Sequence, residues 1–380
     1  MKLIAVVAFL LVINVVNSQY YESCVNPTGV TGFCQPIRSC DSLLNILMQY
    51  RGRQIPYDVR IFLRRSQCKY YFEPWVCCPS VTEQTTAAPV TTVRSTVPST
   101  ASRLPEAPEC GVDADNRIYG GEETTIDEYP WLAQLQYNKP RGRTGFHCGG
   151  SLINQKYVVT AAHCIGKVPS DWDLVSVRLG EWDTTTVEDC DDSFFNERVC
   201  NDPHVDVPVE KKIIHESYVA NSKNQHHDIA LLRLSRTVTY TDFIKPICLQ
   251  VNSDVRNLNL DGKSLDVAGW GKTETSYTSD RKLKVAVAAY PNSKCQEVYS
   301  RSGLTILDSQ ICAGGAPGKD SCNGDSGGPL MEHYESGPIP YYFLAGIVSY
   351  GPKNCGTEDV PGVYTRVSKY VDWIQSKLEN

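Results

Sequence analysis

The stretch "GKDSCNGDSGGPL" sets two aspartates, Asp320 and Asp325, close to one serine, Ser326. A neutral serine hydroxyl is a weak nucleophile. It needs a base within hydrogen-bond reach, and the base needs an orienting group. The run reads either as a nucleophile loop or as a tight turn rich in turn formers. A base is offered by "VVTAAHCIG", where His163 follows an apolar strand and precedes Cys164. An orienting group is offered by "HHDIALLRL", where Asp228 heads a strongly apolar strand. A carboxylate entering a buried strand needs a partner, and an imidazole N–H would serve. Taken singly, His163 also reads as a surface histidine at a strand end, and His226, His227 and Asp228 as a solvated turn or a metal-like cluster. Taken together, the three residues describe acyl transfer by an activated serine.

Those residues must be carried by a scaffold, and the chain has room for one. It has 380 residues, more than one compact domain usually holds, and a net charge of −6 that argues against nucleic acid as main partner. Lys2, the apolar run "LIAVVAFLLVINVV" and the small residues of "VNS" read as a secretory signal over 1–18, cleaved after Ser18. The run is short for a membrane span, and no later run reaches its length, so a secreted chain without a membrane anchor is expected. The 16 cysteines suit that oxidising compartment. Zinc is the competing use, but paired Cys-x-x-Cys motifs are lacking, and adjacent Cys77 and Cys78 suit disulfides better. Asn26 is followed by proline, and no Asn-x-Ser/Thr acceptor follows the signal.

Six cysteines lie between Cys24 and Cys78. Residues 79–109 are then dominated by Thr, Ser, Pro and Ala, without hydrophobic periodicity, and read as a flexible linker open to O-glycosylation. Beyond Cys110 short alternating runs such as "SLINQKYVVTAA", "DIALLRL" and "LAGIVSY" recur between turns, the rhythm of an all-β barrel or sandwich. Helical spacing is expected only in the tail "VSKYVDWIQSKL", with Val367, Tyr370, Val371 and Ile374 on one face.

The order His163, Asp228, Ser326 is that of chymotrypsin-type enzymes. With "RIYGG", "TAAHC", "DIALL", "AGWG", "DSCNGDSGGPL", "SYG" and "PGVYTRV", residues 118–380 resemble a trypsin-like serine protease domain. The resemblance implies two packed six-stranded β-barrels, a C-terminal helix and a cleft between the barrels. It implies that Ser326 attacks the carbonyl, that His163 takes and returns the proton, and that Asp228 holds the imidazole tautomer. It places the oxyanion hole at the N–H groups of Gly324 and Ser326. Asp320, six residues before Ser326, falls at the floor of the family's specificity pocket, with Gly351 and Gly362 as its walls. A carboxylate there selects Arg or Lys before the scissile bond; the bland alternative is a solvated loop charge. "NRIYGG" matches the family's activation site, so residues 110–117 read as an activation segment. Cleavage after Arg117 would free the Ile118 ammonium to pair with Asp325, and Arg117 implies a trypsin-like activating protease.

The block 24–78, ending in a "CC" pair ahead of a linker and a protease domain, resembles the clip domain of arthropod proteases. By that resemblance the bridges are Cys24–Cys77, Cys34–Cys68 and Cys40–Cys78, although six cysteines by themselves allow fifteen pairings. The protease family adds Cys148–Cys164, Cys295–Cys312 and Cys322–Cys355, leaving Cys110 with Cys248 and Cys190 with Cys200. Clip domains resemble docking modules for cofactor proteins; the alternative is a passive pro-segment. Glu181, directly after "RLG", stands where trypsins begin a calcium loop, and Asp183, Thr186 and Asp189 complete a set of hard ligands; a solvated acidic loop is the other reading. Calcium is the one cofactor expected.

The implied function is a secreted serine endopeptidase zymogen of the haemolymph, acting in an immune or developmental cascade and controlled by a serpin. Prophenoloxidase is the leading substrate, a Spätzle-like Toll ligand the alternative. A non-catalytic clip homologue is the rival from another class, but such homologues typically carry glycine at the nucleophile, where this chain has Ser326. A digestive trypsin has no evident use for the clip block and linker.

Overall fold

The computed structural model describes residues 22–51, 55–70, 74–79, 103–112, 122–194, 197–272, 276, 278–317, 324–335, 340–352 and 356–379. It divides into two compact units, one holding the clip block and the other the barrels. Asp320, Arg117, Ile118, Cys322 and Cys355 lie outside the described residues, as do the signal segment and most of the linker.

In the first unit, β1 (Ser23–Val25), β2 (Thr31–Pro36), β3 (Gln67–Tyr70) and β4 (Pro74–Pro79) form an antiparallel sheet in the order β1-β2-β4-β3. Two helices, α1 (Asp41–Gln49) and α2 (Tyr57–Arg65), separate β2 from β3. Leu43, Leu63 and Val76 are fully buried among them. A core this small is held by staples: Cys24–Cys77, Cys34–Cys68 and Cys40–Cys78 are bonded.

The second unit is two barrels. The first closes in the order β12-β13-β8-β7-β6-β9. Its strands are β6 (Leu132–Lys139), β7 (Arg143–Leu152), β8 (Tyr157–Thr160), β9 (Asp173–Leu179), β12 (Val205–Ile214) and β13 (Ala230–Leu234). A hairpin of β10 (Cys190–Phe194) and β11 (Glu197–Cys200), bridged by Cys190–Cys200, precedes β12. The second barrel comprises β14 (Ser264–Gly269), β15 (Leu283–Tyr290), β16 (Gln310–Ala313), β17 (Pro329–Tyr334), β18 (Tyr341–Tyr350) and β19 (Gly362–Arg366). Pairing of β14 with β15 closes it, and β5 (Glu122–Glu123) extends β15 at its edge. The fold is therefore the expected all-β double barrel. Closure leaves few free edges, so apolar residues alternate inward around both walls.

Helices add detail to the expectation of a single helical tail. The tail helix α4 spans Val371–Lys377, after a 3-10 turn at Val367–Lys369, and Val367, Tyr370, Val371 and Ile374 are all buried. A further helix, α3 (Asn292–Ser300), was not expected, because "NSKCQEVYS" has little amphipathic pattern. Pro291 precedes its first turn, and Cys295 anchors it to Cys312 on β16. Tertiary tethering stands in for local propensity there.

The end of the linker is also more structured than its composition suggests. Residues 103–112 belong with the barrels: Leu104 is buried in their core and Cys110 is bonded to Cys248. Gly111 donates its N–H to the Pro246 carbonyl and accepts from Tyr342 N–H. Among the described residues no helix is long and apolar enough to cross a membrane.

Candidate active site

His163 opens a single helical turn, His163–Gly166, just after β8. Asp228 stands just before β13, and the chain reaches it through two left-handed residues, Gln225 and His227. That kink directs the carboxylate at His163 twice. Asp228 Oδ1 accepts the His163 backbone N–H at 2.8 Å, and Oδ2 lies 2.7 Å from His163 Nδ1. The Asp228 side chain is wholly buried. A buried carboxylate needs several donors. A third comes from the other barrel, where the Ser349 hydroxyl on β18 donates to Oδ2 at 2.5 Å. Thr365 on β19 donates to the Asp228 carbonyl at 2.7 Å. Sequence reasoning did not single out Ser349 or Thr365. Both lie within strings that it did quote, "SYG" and "PGVYTRV".

The serine loop is shaped by glycines. Gly324 has φ 108° and Gly327 φ 79°, values that favour glycine. A Cβ on Gly327 would lie 2.3 Å from Thr160 Oγ1 and 2.6 Å from the Gly149 carbonyl oxygen, so β7 and β8 press directly on the loop. Gly149 N–H donates to the Ser326 carbonyl at 2.8 Å, and Gly327 N–H to that of Val348 at 2.9 Å. The nucleophile's backbone is thus held by one strand from each barrel. The Cys148–Cys164 bridge adds a covalent brace beside His163. The two sulfurs and the His163 ring would otherwise resemble a metal-ligand group. Bonded to each other, the sulfurs offer no thiolate.

Asp325 points away from Ser326. Its Oδ1 accepts Gly271 N–H at 3.0 Å. A Cβ on Gly269 or Gly271 would meet its carboxylate at 2.4 Å, which is why "AGWG" has glycines on both sides of Trp270. Gly351 and Gly362 face each other: a Cβ on Gly351 would stand 3.6 Å from Gly362 Cα. Lying just beyond the Tyr350–Val363 pairing of β18 and β19, the two place no side chain beside each other.

In the acidic loop, Glu181 and Asp189 are each 3% exposed. Glu181 Oε1 and Asp189 Oδ2 accept the same Trp182 N–H, each at 3.0 Å. Burial and then the Asp189 charge push the Glu181 carboxyl up to about 7. Arg178 Nη1, 3.2 Å from Glu181 Oε2, offsets part of that shift, and His204 Nδ1 lies 3.4 Å from the same oxygen. The Thr186 hydroxyl donates to Asp189 Oδ1. Asp183 faces elsewhere: its Oδ1 takes the Thr185 N–H at 3.0 Å and its Oδ2 takes Arg281 Nε at 2.9 Å. Glu181, Thr186 and Asp189 offer hard oxygen donors of the kind calcium takes, while Asp189 Oδ2 also accepts Asp183 N–H at 3.1 Å and Asn201 Nδ2 at 3.3 Å. The Asp183 carboxylate is committed to other partners.

Double barrel, buried Asp228–His163 pair and glycine-shaped serine loop together define a chymotrypsin-fold serine protease architecture. The trypsin family model matches residues 118–374, and that of the regulatory CLIP domain of proteinases matches residues 24–78. The chain belongs to the trypsin family and carries a CLIP domain. It is 47% identical to Serine protease ea of Drosophila melanogaster, over 95% of this chain and 92% of that protein. It is 43% identical to Melanization protease 1 of the same organism, over 95% and 94% of the two chains. The crystal structure of the Drosophila Grass clip serine protease of the Toll pathway matches with a TM-score of 0.61 at 34% identity, covering 94% of this chain and 97% of that one.

Proposed function

We infer that this chain is a secreted endopeptidase zymogen of trypsin-like specificity that works in an insect immune cascade. The observation that carries the reading is the 2.7 Å contact between His163 Nδ1 and the buried Asp228. With Nδ1 committed, Nε2 is free to take the Ser326 proton and return it to the leaving amine. Gly324 and Ser326 supply N–H groups to the oxyanion, and water then releases the acyl group by the same proton path. In this reading, by the family resemblance, Asp320 is the negative floor of the specificity pocket, with Gly351 and Gly362 as its walls, and selects Arg or Lys. Cleavage after Arg117 by a trypsin-like protease frees the Ile118 ammonium to pair with Asp325, whose carboxylate already lies against Gly271. The downstream substrate is a zymogen of the prophenoloxidase type, a reading supported by similarity to Melanization protease 1. Processing of a Toll-pathway ligand is the second reading, supported by similarity to the Grass protease. The CLIP domain docks a cofactor protein, and a serpin ends the activity.

Limited digestion with a trypsin-like protease tests this directly. The cut protein should run as one species without reductant and as two chains with it, because Cys110 is bonded to Cys248. It should hydrolyse Arg and Lys anilides and leave Phe and Leu anilides intact, and Asp320→Ser should remove most of that preference. Preferential cleavage after an aromatic residue would overturn the assignment. Incubation with each precursor, followed by mapping of the cut, separates the two substrate readings.

Calcium takes a structural place in the same reading, held by Glu181, Thr186 and Asp189. Millimolar calcium should raise the melting temperature of the wild type and leave that of Asp189→Asn unmoved. A wild-type midpoint that does not respond would assign the loop to protein donors alone.

A further inference from the structure

The hairpin joining β6 to β7 carries more positive charge than its fold requires. Lys139 and Arg143 are direct cross-strand partners. Like charges facing each other across a sheet are destabilising. Arg141 sits between them at the tip, in the left-handed region at φ 64°. Burial, and then the Arg143 charge, hold the Lys139 ammonium below its ordinary value. Among the described residues no carboxylate lies within ion-pair distance of these three cations. Asp173, the acid nearest in strand register, faces Asn138 and is paired with Lys212.

Strand β7 leads from this hairpin toward the nucleophile. A cavity of about 250 Å³ is lined by Phe146, His147 and Cys148 of β7, with Trp270 and Gly324 opposite. Neither Gly351 nor Gly362 lines it. His163 and Ser326 do not line it either; β7 meets the nucleophile at Gly149, whose N–H donates to the Ser326 carbonyl at 2.8 Å. From there a path of positive charge leads outward. The His147 ring packs edge-on against Trp172 at 5.2 Å, and Lys139 Nζ sits 4.0 Å over the same indole. Arg143 is six residues before Gly149, about 20 Å along an extended strand. A substrate strand of the same rise, running beside β7 from the scissile bond, reaches it about six residues on.

We propose that Lys139, Arg141 and Arg143 form a docking surface for an acidic segment of the protein substrate, four to six residues past the scissile bond. The proposal rests on the proteolytic reading above. It gives the cross-strand repulsion a use, since an incoming carboxylate would relieve it. Activated enzyme should be given two peptides with one Arg cleavage site, differing only in Glu or Gln at the fourth to sixth positions beyond it. At low ionic strength kcat/KM should favour the Glu peptide about tenfold, and the advantage should shrink at high salt. The double variant Arg141→Glu/Arg143→Glu should bring the ratio to one or below. Equal rates on the two peptides in the wild type would overturn the proposal. An Arg anilide run beside them separates the readings, because failure to cleave it counts against the protease assignment and not against docking. Anisotropy of the two labelled peptides with the Ser326→Ala variant reads docking without turnover, and equal affinities there would also overturn it.

Discussion

Asp228→Asn should lower kcat of the activated enzyme on a small Arg anilide by about 10⁴-fold, the magnitude of the chymotrypsin-type triad itself, and should leave the protein folded. The reason is a matter of donors. Asp228 Oδ1 accepts the His163 backbone N–H at 2.8 Å, so the carboxamide oxygen of Asn keeps that place. Its NH2 group then falls where Oδ2 now lies, 2.7 Å from His163 Nδ1. A donor facing Nδ1 forces the ring proton onto Nε2, and Nε2 can no longer accept from Ser326. The imidazolium formed during attack also loses its buried counter-charge. The Ser349 hydroxyl can rotate from donor to acceptor, so it does not block the substitution sterically or by charge. Ser349→Ala removes one of the three donors to the Asp228 carboxylate and should cost far less in kcat. Retention of more than a tenth of wild-type kcat by Asp228→Asn would show that the His163–Asp228 contact does not set the base's tautomer.

Lys284→Met should destabilise the barrel unit by about 3–5 kcal/mol, the usual cost of stranding a buried charge, or roughly 10 °C in melting temperature at this size. Lys284 Nζ lies 2.5 Å from Glu128 Oε1, and both side chains are almost fully buried. Glu128 Oε2 also accepts Thr125 N–H at 2.7 Å, and its backbone carbonyl accepts Lys282 Nζ at 2.5 Å. The pair fastens residues 122–129 along β15, where Glu122 faces Lys284 and Thr124 N–H donates to the Lys282 carbonyl. This is the stretch that follows Ile118, so it limits where a freed Ile118 can reach. The double variant Glu128→Gln/Lys284→Met should recover part of the loss, since no bare charge remains. The loss should also be larger at pH 8 than at pH 5. Asp266 sits beside the pair and shows the sign: burial raises its carboxyl from 3.8 to about 7. Across that window the folded state keeps a proton that the unfolded state has released, so stability falls as pH rises. Without Lys284 the same holds more strongly for Asp266 and newly for Glu128. Equal destabilisation at both pH values would mean that packing, and not charge, is what the lysine supplies.

The sequence by itself determined the reacting groups, the order in which the chain presents them, and the kind of scaffold that could carry them. Ser326, His163 and Asp228 are legible because nucleophile, base and orienting group are fixed by residue type, and short alternating strands announce β-barrels through a local period of two. Tertiary structure alone decided what completes the site. Ser349 and Thr365 reach Asp228 from 121 and 137 residues away, and no local pattern marks a hydroxyl for that duty. Lys284 reads as an interruption in a strand until β5 and β15 pair and place it on Glu128, 156 residues earlier. Helix α3 owes its place to a bridge to β16 and not to amphipathic spacing. The physical reason is common to all of these. Burial converts an ordinary polar side chain into one that must be paired, and which residues become neighbours in the dry interior depends on how two barrels close and pack, not on spacing along the chain.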